Sequence, residues 1–129
     1  MRFGGDKGIV ALLATLSALA VPGHAARADL PHITLEKSVP ADTSTVSAVS
    51  EIRLFFTGAP LMRGASVRVV TTGRSLMRSS PPAADPHDPR QIFVEVSPPL
   101  PPGAYVVQWR CIADDGHVMR GDFTFEVTG

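Results

Sequence analysis

With 12 Lys and Arg residues against 12 Asp and Glu, the 129-residue chain has no formal net charge, which excludes the charge-driven binding of nucleic acid or anionic membrane typical of basic proteins. Its single cysteine, Cys111, cannot form an internal disulfide, so an apolar core has to hold the fold. Twelve prolines and eleven glycines, nearly all between apolar runs, describe short strands joined by surface connections.

The first element in chain order is a leader. Arg2 and Lys7 precede an almost uninterrupted apolar run of thirteen residues, Ile9 to Val21, after which Pro22 to Ala28 turns small and polar. This is the layout of a secretory signal peptide, and the run is too short to span a bilayer. The small-x-small frame Ala26, Arg27, Ala28 sets the expected division: residues 1–28 as the cleaved signal peptide and 29–129 as the exported domain. Cleavage there leaves 9 basic against 11 acidic residues, a net of −2. No second apolar stretch is long enough to cross a membrane, so the mature chain is expected to be soluble and released.

Strand periodicity dominates the rest. Ile33 to Ser38 alternates weakly; Glu51 to Thr57 puts Ile52, Leu54 and Phe56 on one face; Ser66 to Thr71 repeats the theme with Val67 and Val69. Ser75 to Arg78 is a marginal strand. Gln91 to Val96 aims Ile92, Val94 and Val96 one way, and Ala104 to Ile112 aims Tyr105, Val107, Trp109 and Cys111 inward. Val118 to Val127 closes with Phe123, Phe125 and Val127 in register. The one stretch readable as helical is a turn near Ala41 to Val46. Seven short strands, with the tryptophan on the next to last, predict an all-β, immunoglobulin-like sandwich. A small sandwich without a long exposed apolar strand is expected to be monomeric.

Antiparallel strands reverse direction each time. The chain therefore enters the first strand and leaves the sixth at one end, which brings His32 and the corner Asp114 to His117 to a common pole. The corner itself has two readings. Asp115 and Gly116 suit an ordinary hairpin turn, whereas two imidazoles and a carboxylate converging at one end offer N and O donors for tetragonal Cu(II), with Zn(II) as competitor. Met62, Met77 and Met119 are far apart and read as packing residues. His87 lies in a proline-rich solvated loop, and Cys111 is in phase with the core. Nothing resembles a nucleophile elbow or a phosphate loop, so an enzyme is not expected.

The stretch "HITLEKSVPAD", His32 to Asp42, resembles the opening of the CopC family of periplasmic copper-binding proteins, and "GAYVVQWRCIADDGHVMRGDFTFEV", Gly103 to Val127, resembles its closing hairpin. The resemblance implies a seven-stranded Greek-key β-sandwich or barrel, a periplasmic location, and one Cu(II) held by His32, Asp115 and His117. It implies a role in copper buffering, resistance or delivery to a CopD-type inner-membrane transporter. The methionine-rich loop that gives some relatives a Cu(I) site is missing, and Ala113 stands where relatives often have Ser. Cleavage after Ala28 also leaves Asp29, Leu30 and Pro31 in front of His32. The alternative is an immunoglobulin-like interaction module on the same framework, with weak or no metal binding.

Overall fold

Apolar residues at every second position build two facing sheets. In the computed structural model, which describes residues 33–129, the strands are β1 (Leu35–Val39), β2 (Ser44–Val46), β3 (Glu51–Phe56), β4 (Leu61–Thr71), β5 (Ala83–Ala84), β6 (Gln91–Glu95), β7 (Gly103–Ile112) and β8 (Val118–Val127). One sheet has the order β1-β3-β6-β5 and the other β2-β8-β7-β4. The leader and His32 lie outside the described residues. The all-β, immunoglobulin-like sandwich expected from periodicity is the fold.

The core is drawn from the alternating faces. Ile52, Leu54 and Phe56 of β3 and Ile92 and Val94 of β6 are buried against Val67 and Val69 of β4, Tyr105, Val107 and Cys111 of β7, and Phe123, Phe125 and Val127 of β8. A fully buried Val, Leu, Ile or Phe contributes roughly 1.5–3 kcal/mol, so this interleaved set outweighs the roughly 2–4 kcal/mol that a disulfide would add. Tyr105 stacks on Phe125 with centroids 5.6 Å apart and donates its hydroxyl to the Pro101 carbonyl. Burial pushes the Cys111 thiol up to about 11.

Trp109 packs edge-on against Phe56 at 5.3 Å. It lies opposite Gly121 on β8, where an added Cβ would fall 2.6 Å from the indole. Only a residue without a side chain leaves room there. Trp109 Nε1 is buried with no hydrogen-bond partner among the described residues.

Three elements differ from the sequence reading, and the strand count rises from seven to eight. Ala41 to Val46 is no helical turn. Thr43 takes a left-handed φ of 63° and donates its N–H to the Thr124 carbonyl at 2.7 Å, while Asp42 Oδ1 accepts from the Thr124 N–H at 3.1 Å. These bonds dock Ser44 to Val46 as β2, parallel to the end of β8. A strand of three residues is too short to display a period. Ser75 to Arg78 makes only the bridge Val70–Leu76 and a bond from Met77 N–H to the Val69 carbonyl, and forms no strand. The proline-rich segment instead contributes β5, paired with β6. In β1 the inward residue is Ser38, whose hydroxyl donates to the Pro40 carbonyl at 2.8 Å, and a bulge between Leu35 and Lys37 explains the weak alternation.

Candidate metal centre

The β7–β8 connection is a tight turn. The Gly116 N–H donates to the Ala113 carbonyl at 2.9 Å, and the Ala113 N–H donates to the His117 carbonyl at 2.8 Å. Gly116 has φ of 90°, open to glycine and strained for other residues. A four-residue turn, Ala113 to Gly116, that ends on a left-handed glycine is the three-residue hairpin loop with a bulge. It projects Asp114, Asp115 and His117 into solvent, and all three are exposed.

Asp115 and His117 then bind each other. Asp115 Oδ1 accepts the His117 backbone N–H at 3.0 Å, and Asp115 Oδ2 lies 2.7 Å from His117 Nδ1. The His117 side chain is 69% exposed and that of Asp115 37%, so the pair is a surface feature with an oriented imidazole. A carboxylate on one ring nitrogen fixes the tautomer and aims the other, the arrangement that metal-binding histidines use. An imidazole nitrogen and a carboxylate oxygen are donors suited to Cu(II) or Zn(II). Among the described residues no three His, Cys, Asp or Glu side chains gather to hold a metal ion.

Of the three residues expected to bind metal, Asp115 and His117 stand together, and His32 is outside the described residues. Its successor Ile33 marks where the chain enters β1. The Ile33 Cγ1 sits 3.1 Å from where a Cβ on Gly58 would stand. The Thr34 N–H donates to Thr57 Oγ1 at 3.0 Å, and the Thr57 N–H to the Thr34 carbonyl at 2.9 Å. From the same β3–β4 connection the chain crosses to the second sheet, where Leu61 pairs with Ile112, the last residue of β7. The entry to β1 and the Ala113–His117 corner therefore share one end of the sandwich.

His87 is exposed, in a loop braced by Asp85. Asp85 Oδ1 accepts the N–H groups of His87 and Asp88 at 2.8 and 3.2 Å, and Oδ2 pairs with Arg53 Nη1 at 2.8 Å. These bonds hold the Asp85 carboxyl below its ordinary value, with the backbone bond to His87 the largest cause. Met119 is partly buried, facing Cys111 across the hairpin, and Met62 and Met77 pack on the core. The sequence reading left Arg110 and Arg120 without a role. Both lie equally far from the corner, so hairpin pairing alone sets them side by side.

A CopC domain model matches residues 35–128. The chain is 32% identical over 104 residues to the copper resistance protein C of Escherichia coli, covering 76% of this chain and 82% of that protein. It is 31% identical over 101 residues to copper resistance protein C of Pseudomonas syringae pv. tomato, covering 74% and 80%. Among solved structures it is similar to PcoC, a methionine-rich copper resistance protein from Escherichia coli, with TM-score 0.67 and 28% identity over 75% of this chain and 99% of that one. It is also similar to CopC from Methylosinus trichosporium OB3b, with TM-score 0.69 and 26% identity over 75% and 94%.

Proposed function

The chain belongs to the CopC family, and from that premise we propose that it takes up one Cu(II) ion as cargo through His32, Asp115 and His117. The observation that carries this reading is the Asp115–His117 pair, held at 2.7 Å on a hydrogen-bonded corner at the end of the sandwich where the chain enters β1. His117 Nε2 is the ring nitrogen assigned to copper, because Nδ1 faces Asp115. A carboxylate has about four lone-pair sites and can accept hydrogen bonds and bind a metal together. His32, directly before Ile33, supplies the second imidazole.

The protein's work in this reading is binding and release without covalent chemistry. An exposed site on a hairpin tip suits exchange with a partner. Residues 1–28 act as the export signal, residues 29–129 as the periplasmic domain, and a CopD-type membrane transporter as the recipient of the copper. Because donors must shed protons to bind metal, uptake weakens in acid.

The test is copper titration of the exported chain, followed by electron paramagnetic resonance, with intact mass to locate the N-terminus. One equivalent of tetragonal Cu(II), lost in His117→Ala and in His32→Ala, is the expected result. A stoichiometric signal that survives His117→Ala overturns the assignment.

A further inference from the structure

The outer face of the second sheet gathers unmatched positive charge. Side chains alternate across a strand, and with Val107, Cys111 and Phe123 turned into the core, their neighbours face out. Register then lays two rows across β4, β7 and β8: Ser66, Arg110 and Arg120 in one, and Arg68, Gln108 and Asp122 in the next. Together they line an open groove of about 460 Å³.

Placing like charges directly opposite on neighbouring strands costs stability. Elsewhere arginines find carboxylates: Arg53 pairs with Glu51 and Asp85, and Arg90 with Asp88. Among the described residues no carboxylate forms an ion pair with Arg68, Arg110 or Arg120, although Asp122 lines the same groove. Arg110 is also pre-positioned, since its Nη1 donates to the Gly64 carbonyl at 2.9 Å. A guanidinium has five N–H donors in a fixed fork matched to carboxylates, so one bond to the backbone leaves donors for a ligand.

We propose that this groove docks an acidic segment of a partner protein, whose carboxylates meet Arg68, Arg110 and Arg120. Charge complementarity selects the occupant. The chain from residue 29 onward is net negative, so an extended polyanion such as nucleic acid or an anionic bilayer is repelled by the molecule as a whole. A short acidic segment reaches the guanidiniums within a screening length of about 8 Å. The neutral hydrogen-bonding groups of Ser66 and Gln108, and the single carboxylate of Asp122, suit the backbone of a peptide better than a lone anion. The groove lies on the hairpin whose corner carries Asp115 and His117, yet docking there needs no bound metal.

The experiment uses the full exported chain, metal-free, and a fluorescent oligoglutamate peptide followed by anisotropy at low and high salt, beside an oligoglutamine control. Binding of oligoglutamate alone, weakened by salt, is expected. Arg68→Gln with Arg120→Gln, neither of which touches Gly64, should weaken binding roughly tenfold, while Arg74→Gln, outside the groove, leaves it unchanged. Circular dichroism of the double variant guards against misfolding, and Arg110→Lys, keeping charge but losing the fork, should weaken binding in a folded protein. Equal binding by the double variant or of oligoglutamine overturns the proposal. So does displacement of the peptide by equimolar inorganic phosphate, which marks a simple anion site, or capture by phosphatidylglycerol vesicles without peptide binding, which marks a membrane surface.

Discussion

The carboxylate of Asp115 holds His117 twice, with Oδ1 on the backbone N–H at 3.0 Å and Oδ2 beside Nδ1 at 2.7 Å. The corner thus presents an imidazole whose orientation is set before any metal arrives.

Asp115→Asn is therefore expected to lower copper affinity by roughly 10–100-fold, the usual effect of removing a carboxylate that orients or assists a metal-bound imidazole. The turn should survive, because an Asn side-chain oxygen can still accept the His117 N–H. Competitive titration against a chelator measures the change. Unaltered affinity would show that the pair is turn chemistry alone.

Two glycines should fail for different reasons. Gly121→Ala puts a Cβ 2.6 Å from the Trp109 indole, and is expected to destabilise by about 1–3 kcal/mol through overpacking. Gly116→Ala meets no atom within 4 Å but must hold φ of 90°, at about 1 kcal/mol. Thermal unfolding separates them from wild type, and an unshifted midpoint for Gly121→Ala would contradict the close indole contact.

Asp85 sets an acid limit on the loop that carries His87. Its folded pKa lies below the ordinary 3.8, so the deprotonated form is favoured by folding. That stability is fully present above the unfolded value and is lost as pH falls through the folded one. The gap in melting temperature between wild type and Asp85→Asn should thus be constant near neutrality and close only below about pH 3.8. A gap that closes at higher pH would show that Arg53 and the backbone bonds do not stabilise the carboxylate.

The Cys111 thiol, 1% exposed and pushed up to about 11, should ignore a thiol reagent at pH 8 in the folded protein and react at once when unfolded. Rapid labelling of the native chain would mean that the β7–β8 core opens readily.

Much of this molecule was legible one residue at a time. The period of two over Glu51 to Thr57, Gln91 to Val96 and Ala104 to Ile112 marked the buried faces of β3, β6 and β7, because a sheet with one face in the core sorts alternate side chains into oil and water. The Asp-Asp-Gly-His corner was readable for the same local reason: only a turn accepts that glycine with those flanking strands. The strands β2 and β5 were not legible, since two or three residues show no period, and long-range bonds such as Thr43 to Thr124 create them.

The sequence by itself determined the strand alternation, the export leader expected at its start, and the residue types at the corner, all of which depend on neighbours along the chain. Strand parity already leads to the expectation that the entry to β1 and the β7–β8 corner share one pole; only the tertiary structure decided that β2 and β5 join the sheets and that Arg68 joins Arg110 and Arg120 in a common groove. Those relationships depend on which strands pair and in what register, and pairing is set by the closure of a core whose contributors lie far apart in the chain.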